Sequence, residues 1–351
     1  MQISLFQRLS PAHGRGTVES GRPGILGILA FIFLTAANLA GAVEIKLASS
    51  LPANSDWGII LDRIAAEWYQ VSNGEVTLSV FHGRPGSEEQ FLQWLRQNRY
   101  QAAVFTSQAL NNVAPEIMAL SIPLLIRDND EFDAVLGEVR PLLDSTIEEK
   151  GFKNLAWVKA GWIKIFSRSR ISVPDDLRKL NLATSPSDKK SSDAFRAMGF
   201  KLVGASLSDV PAFLNSGRVD AIYQSPIAVQ MSSLYKRANH MLSLNLAPFM
   251  GGILMNRQGW ESIPQRYREP LQAIVRRAGM EFEESFQRRE AEAVDIMRQD
   301  GIIYNEISPR ETQIWLDDID ARIPGLVDRN VFDKTMYQRI LGILQRYRES
   351  R

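Results

Sequence analysis

Cysteine is absent from all 351 residues. The chain can therefore form no disulfide scaffold, no thiolate-bound zinc or iron–sulfur site and no thiol nucleophile. It also lacks the Cys that lipoprotein processing requires. Histidine is nearly as scarce, with three residues. Beyond the N-terminal region only His82 and His240 remain; they stand far apart without metal-ligand spacing, and both are read as structural or solvated. No charge of one sign dominates: 41 basic against 40 acidic residues leave a net charge of +1, so no global field points to nucleic acid. The sequence has no phosphate-binding P-loop, no G-x-S-x-G elbow and no G-x-G-x-x-G opening a helix. The pairs Asp175-Asp176 and Asp317-Asp318 read as caps and a solvated face. Arg339, Arg346, Arg348 and Arg351 suit the negative end of a last helix. No internal repeat and no low-complexity segment occurs. Nothing in this inventory nominates an enzyme, a metal or a cofactor.

What is present starts with an export signal. Arg8, Arg15 and Arg22 precede an apolar run from Ile25 to Leu34, which continues through Leu39 and ends at Ala40-Gly41-Ala42, an A-x-A-type cleavage site. The core of the run is short for a membrane span of about 20 residues. Residues 1–42 are thus predicted to be a cleavable signal peptide, and the mature chain an exported, nearly neutral protein. Its 45% hydrophobic content is globular, and its length suits two ordinary domains.

Along the mature chain, periodicity alternates. Val43 to Ala48 reads as a strand. Asn54, Ser55 and Asp56 offer N-caps to a helix with Trp57, Ile60, Leu61, Ile64 and Trp68 at helical spacing, and Asn73-Gly74 stops it. Val76, Leu78 and Val80 alternate; Ser87-Glu-Glu-Gln90 is a capping-box pattern before a helix; Ala102 to Phe105 is a third strand. This is a parallel α/β unit. Leu155-Ala-Trp157 and Trp162 to Phe166 read as two strands meeting near Gly161. Leu180 to Leu182 and Gly199 to Val203 add strands around a helix from Ser191 to Met198. Leu207 and Asp209 open a short helix that Ser216-Gly217 stops. Val219 to Ile222 then runs into Tyr223-Gln224-Ser225-Pro226, a polar and aromatic tip at the carboxyl end of a strand, where open α/β sheets bind ligands. Gly251 to Asn256 reads as a returning strand. A helix from Pro270 to Gln299 is long enough to span two lobes, with Met280, Phe282, Phe286 and Met297 read as core. Helices from Trp315 to Ile323 and from Val331 to Tyr347 follow. The predicted organisation is a first lobe over 43–160, a second over 161–250, and a return to the first over 251–351. Two such lobes joined by crossing strands close on a small molecule by hinge bending.

Ordered motifs add a resemblance. Ile45 to Trp57, Asn73-Gly-Glu-Val76, Gly83-Arg-Pro-Gly-Ser-Glu88, Val173-Pro-Asp-Asp-Leu177, Gly217-Arg-Val-Asp-Ala-Ile-Tyr223 with Pro226, and Trp260-Glu-Ser-Ile-Pro264 together resemble the solute receptors of tripartite ATP-independent periplasmic (TRAP) transporters, the DctP-like family. The resemblance covers nearly all the mature chain. It implies a two-lobed α/β fold of the type II periplasmic-binding-protein kind, with crossing strands and a long lobe-spanning helix. It further implies a periplasmic receptor for a small organic ligand, without catalysis, cofactor or nucleic acid, partnered by a membrane TRAP permease. Many members hold a ligand carboxylate with an Arg in the strand after the "D-L" turn; that position here is Ala183. The family's "E-N-P" tip is altered to Gln224-Ser225-Pro226. Both departures point away from a C4-dicarboxylate and towards an organic acid held by another cation, such as Lys164 or Arg168, or a more apolar compound. Trp57, Phe105, Thr106, Trp162, Ala183, Tyr223 and Phe249 are the expected pocket, with Thr184 and Gln224 as hydrogen-bonding groups. Trp162 and Tyr223 lead this set, whereas Trp57, Phe105 and Phe249 compete with a plain core role. Two other readings stand beside the transport receptor: an orphan or sensory receptor docking on an accessory protein, and an exported hydrolase built around Asp220.

Overall fold

The computed structural model describes residues 41–186, 189–206 and 208–351; the predicted signal peptide as far as residue 40, and Leu207, lie outside the described residues. The chain begins with the predicted alternation: β1 (Val43–Ala48), α1 (Asp56–Val71), β2 (Val76–Phe81), α2 (Glu88–Arg96) and β3 (Ala102–Thr106). β1 pairs parallel with both β2 and β3. α1 forms because Ser55 Oγ accepts the Gly58 N–H at 3.1 Å and because Trp57, Leu61, Ile64 and Trp68 make one buried face. The Trp68 indole N–H donates to the Leu271 carbonyl at 3.1 Å and ties this face to a distant helix. At the start of α2 only half of the capping box forms: Ser87 accepts the Gln90 N–H.

α3 (Asn129–Glu149) leads into β4 (Phe152–Ser167). Instead of two strands meeting near Gly161, β4 is one continuous strand that bends there. Gly161 has φ +76°, and the pairing register slips between Lys159 and Trp162, as at a β-bulge. β5 (Asn181–Thr184), α4 (Lys189–Ala197), β6 (Lys201–Gly204) and β7 (Ala221–Gln224) build the next unit. The short helix Val210–Ser216 ends on Gly217 at φ +70°, as predicted, but Asp209 adds no side-chain cap to it; its carboxylate bonds Ser206 instead. β8 (His240–Leu242) and β9 (Ala247–Asn256) follow, β9 beginning before the predicted Gly251. Next come α5 (Gln265–Gln299), β10 (Ile303–Asn305), α6 (Pro309–Asp328) and α7 (Lys334–Glu349).

The main path of the sheet runs β2-β1-β3-β9-β4-β7-β5-β6, with β8 joined to β4 and β10 to β8. β4 and β9 are antiparallel to each other and occupy the middle. Residues 152–163 of β4 pair with β9, whereas residues 164–167 pair with β7. β4 thus belongs to both halves of the sheet. Gly251 makes the close approach of β9 to β3 possible, since a Cβ there would lie 2.6 Å from the Phe105 carbonyl oxygen. α5, with 35 residues and hence about 52 Å long, packs on both α1 and β4. It starts earlier than predicted, so Pro270 lies inside it rather than in its first turn. Met297 is core, but Met280 is 59% exposed. The C-terminal arginines do more than face a helix dipole. Arg348 grips the buried Glu131 carboxylate at 2.7 and 2.9 Å and donates to the Leu125 carbonyl, and Arg346 pairs with Glu138.

Candidate functional site

Strand ends converge on two adjoining cavities. The first, of about 200 Å³, lies between the ends of β5 and β7 on one side and the one-turn helix Ser107–Leu110 after β3 on the other. Ala183, Thr184, Tyr223 and Gln224 come from the former, Ser107, Gln108 and Asn111 from the latter, and Phe249 of β9 closes it. Strands deliver residues here because both β5 and β7 stop at this point: β7 ends on Gln224, and Ser225 caps the helix Pro226–Met231 that begins at once. Gln224 accepts the Ser225 N–H through Oε1 at 2.9 Å. Tyr223 packs edge-on against Phe195, with centroids 5.0 Å apart. Lys190 Nζ donates to the Asn111 carbonyl across this cavity's edge at 3.3 Å.

The second cavity, of about 240 Å³, is bounded by Trp57, Phe105, Thr106 and Phe249, and by Phe282 and Phe286 of α5. Phe249 belongs to both cavities. Trp57 and Phe282 meet edge to face at 4.6 Å, and Phe282 and Phe286 are 5.3 Å apart. Glu88 faces the same space. Its carboxylate accepts from the Thr106 N–H at 3.0 Å and from the Thr106 hydroxyl at 2.7 Å. Burial pushes its pKa above the ordinary carboxylate value, the Thr106 bonds opposing.

Eight of the nine expected site residues thus line one cavity or the other: Ala183, Thr184, Tyr223 and Gln224 the first, Trp57, Phe105 and Thr106 the second, and Phe249 both. Trp162 lines neither, a correction to its leading place. The slip after Lys159 reverses the alternation of side chains, so Ile163 reaches the first cavity. Trp162 turns the other way, donating its indole N–H to Asn129 Oδ1 at 2.9 Å and packing against Phe132. Neither of the expected replacement cations reaches a cavity wall. Lys164 is buried, donating to the Ser243 carbonyl at 3.0 Å and to Asn245 Oδ1 at 2.8 Å. Burial lowers its pKa to about 8 against the attraction of Glu290. Arg168 is half-exposed, 3.9 Å from Asp220. Among the described residues lining the two cavities there is no Lys or Arg. Asp220, the suggested centre of a hydrolase, accepts the Asn181 N–H and neighbours Arg168.

Sequence reasoning missed Glu88, Phe282 and Phe286. Glu88 sits inside a pattern that reads as a helix cap. The two phenylalanines are four residues apart on a helix, which is equally the spacing of core.

Comparison with known proteins gives a consistent neighbourhood. Residues 47–325 match the family model described as bacterial extracellular solute-binding protein, family 7. The chain is 23% identical over 237 residues to the 2,3-diketo-L-gulonate-binding periplasmic protein YiaO of Escherichia coli, covering 66% of this chain and 71% of that one. It is 22% identical over 307 residues to the C4-dicarboxylate-binding periplasmic protein DctP of Rhodobacter capsulatus, covering 79% and 89%. Among solved structures, a TRAP periplasmic solute-binding protein of Ralstonia eutropha with bound (S)-2-acetolactate superposes with a TM-score of 0.75 at 20% identity, over 87% of this chain and 99% of that one.

Proposed function

Since the chain belongs to family 7 of the bacterial extracellular solute-binding proteins, we propose that it is a periplasmic receptor that closes on a small organic solute and hands it to a membrane TRAP permease. The observation that carries this reading is the convergence of β3, β5, β7 and β9 on two cavities sharing Phe249. The bend of β4 at Gly161, just before the strand passes from β9 (as far as Ile163) to β7 (from Lys164), supports a hinge there. On that reading residues 43–160 and 251–351 form one lobe and 161–250 the other, with residues 1–42 as the cleaved export signal.

The relatives are named for 2,3-diketo-L-gulonate and C4-dicarboxylates, or hold acetolactate. Here Ala183 replaces the expected carboxylate-binding Arg, and no cation lines either cavity among the described residues. A buried carboxylate without a partner is strongly disfavoured. The solute is therefore held by its apolar body against Trp57, Phe105, Phe249, Phe282 and Phe286, with Thr184 and Gln224 fixing its polar end.

Native mass spectrometry of the protein taken from its own periplasm without denaturation tests this. The expected result is a retained small organic molecule without a carboxylate. An empty protein that also shows no saturable binding across a solute library would overturn the receptor reading.

A further inference from the structure

Glu88 is the single ionisable side chain among the described residues lining the second cavity. Among the described residues no cation is paired with its carboxylate, which is held by two Thr106 hydrogen bonds at the end of β3. The remaining wall is largely aromatic, with Trp57, Phe105, Phe249, Phe282 and Phe286 around it. Ring faces carry negative electrostatic potential, and so does the carboxylate, so the cavity is electronegative without a compensating positive group. An anion entering it meets repulsion and loses its water. A metal ion finds too few oxygen ligands, and among the described residues no group of three or more carboxylate or imidazole side chains is placed to hold one. An alkylated ammonium fits both features: its methyl groups are apolar enough for the aromatic wall, and its charge is attracted to the rings and to Glu88.

We propose that the second cavity takes the alkylated-ammonium end of the solute, with Glu88 as its counter-charge and Trp57, Phe282 and Phe286 as its aromatic cage. This rests on the receptor reading above and names the chemical class of the solute at the same site. Thr106 then has a defined task. It holds the carboxylate towards the cavity, so that the charge is in place before the ligand arrives.

The test uses the full chain, refolded to remove any retained solute, and three probes in isothermal titration calorimetry: choline, its neutral isostere 3,3-dimethyl-1-butanol, and succinate. Choline is expected to bind at least about tenfold more tightly than the isostere, and succinate not at all. Glu88→Gln is expected to abolish the preference for choline while leaving the weak binding of the isostere. Phe282→Leu, which leaves the carboxylate in place, is expected to weaken choline several-fold with the fold intact by circular dichroism. Equal or tighter binding of the isostere or of succinate would overturn the proposal, as would a preference for choline that survives Glu88→Gln. Failure of all three probes at millimolar concentration would overturn it too. The receptor reading stands or falls separately, on the retained solute seen by mass spectrometry.

Discussion

Ala183 is 8% exposed in the wall of the first cavity, at the position where the resemblance places a carboxylate-binding Arg. Ala183→Arg is expected to create succinate binding that the parent lacks, by at least about tenfold, since a bidentate guanidinium–carboxylate pair forms in a confined site. The ligand-free variant is expected to lose about 1–3 kcal/mol from overpacking. Calorimetry with succinate and urea denaturation check the two halves. Lys164 supplies a second prediction. Its pKa of about 8 in the fold lies below its ordinary 10.5, so between these values the unfolded chain binds more protons than the native one. Its contribution therefore rises with pH from about 8 to about 10.5 and is flat below. Lys164→Met is expected to flatten the wild-type stability difference between pH 8 and pH 10 by about 2 kcal/mol, as urea midpoints at those two pH values would show. Residues at strand ends, such as Thr184, Tyr223 and Gln224, were legible in the sequence because polar and aromatic side chains at a strand's carboxyl end have few structural uses. Glu88 was not, because a carboxylate in the first turn of a helix has a common capping role, and only the fold shows that Thr106 draws it elsewhere.

At the scale of an element, β4 and α5 are fastened together around the bend. Glu283 accepts the Lys159 N–H at 2.9 Å and Glu290 the Trp162 N–H at 3.3 Å, one on each side of Gly161. The two carboxylates stand two helical turns apart on α5 and hold the strand where its own ladder is interrupted. Gly161→Ala is expected to cost about 1–3 kcal/mol, because φ is +76° and the new Cβ would lie 2.8 Å from the Glu290 carboxylate. Guanidinium denaturation gives the magnitude. Gly161 was legible as the place where direction changes, but not as the bulge of one strand, since a bulge is a property of a pair and its partner β9 lies some ninety residues on. The same limit displaced Trp162 from the site: its periodicity is intact, and only the slip in register reverses its face. The start of α5 shifted for a local reason. Pro264 precedes the helix and Pro270 is tolerated inside it, and the two signals look alike in sequence.

Taken as a whole, the molecule is sewn together by its late segments. The parallel β2-β1-β3 unit was legible from alternating periodicity, but the insertion of β9 between β3 and β4 was not, because antiparallel pairing across such a separation leaves no local pattern. The largest buried cluster joins Phe91, Leu110 and Phe132 to Trp315, Met336, Ile340 and Leu344. Removing residues 330–351 is expected to leave a chain without a cooperative thermal transition. It takes Met336, Ile340, Ile343 and Leu344 from that cluster and strips Arg348 from Glu131, which is 5% exposed; an abandoned buried charge alone costs about 3–5 kcal/mol. Differential scanning calorimetry of the shortened chain checks it.

Arg348 on Glu131 also sets an order in time. A ribosome delivers the first strands early, yet their neighbour β9 and the clasp at α7 emerge last. A nascent chain of this design is expected to complete its largest buried cluster only once those last segments have emerged.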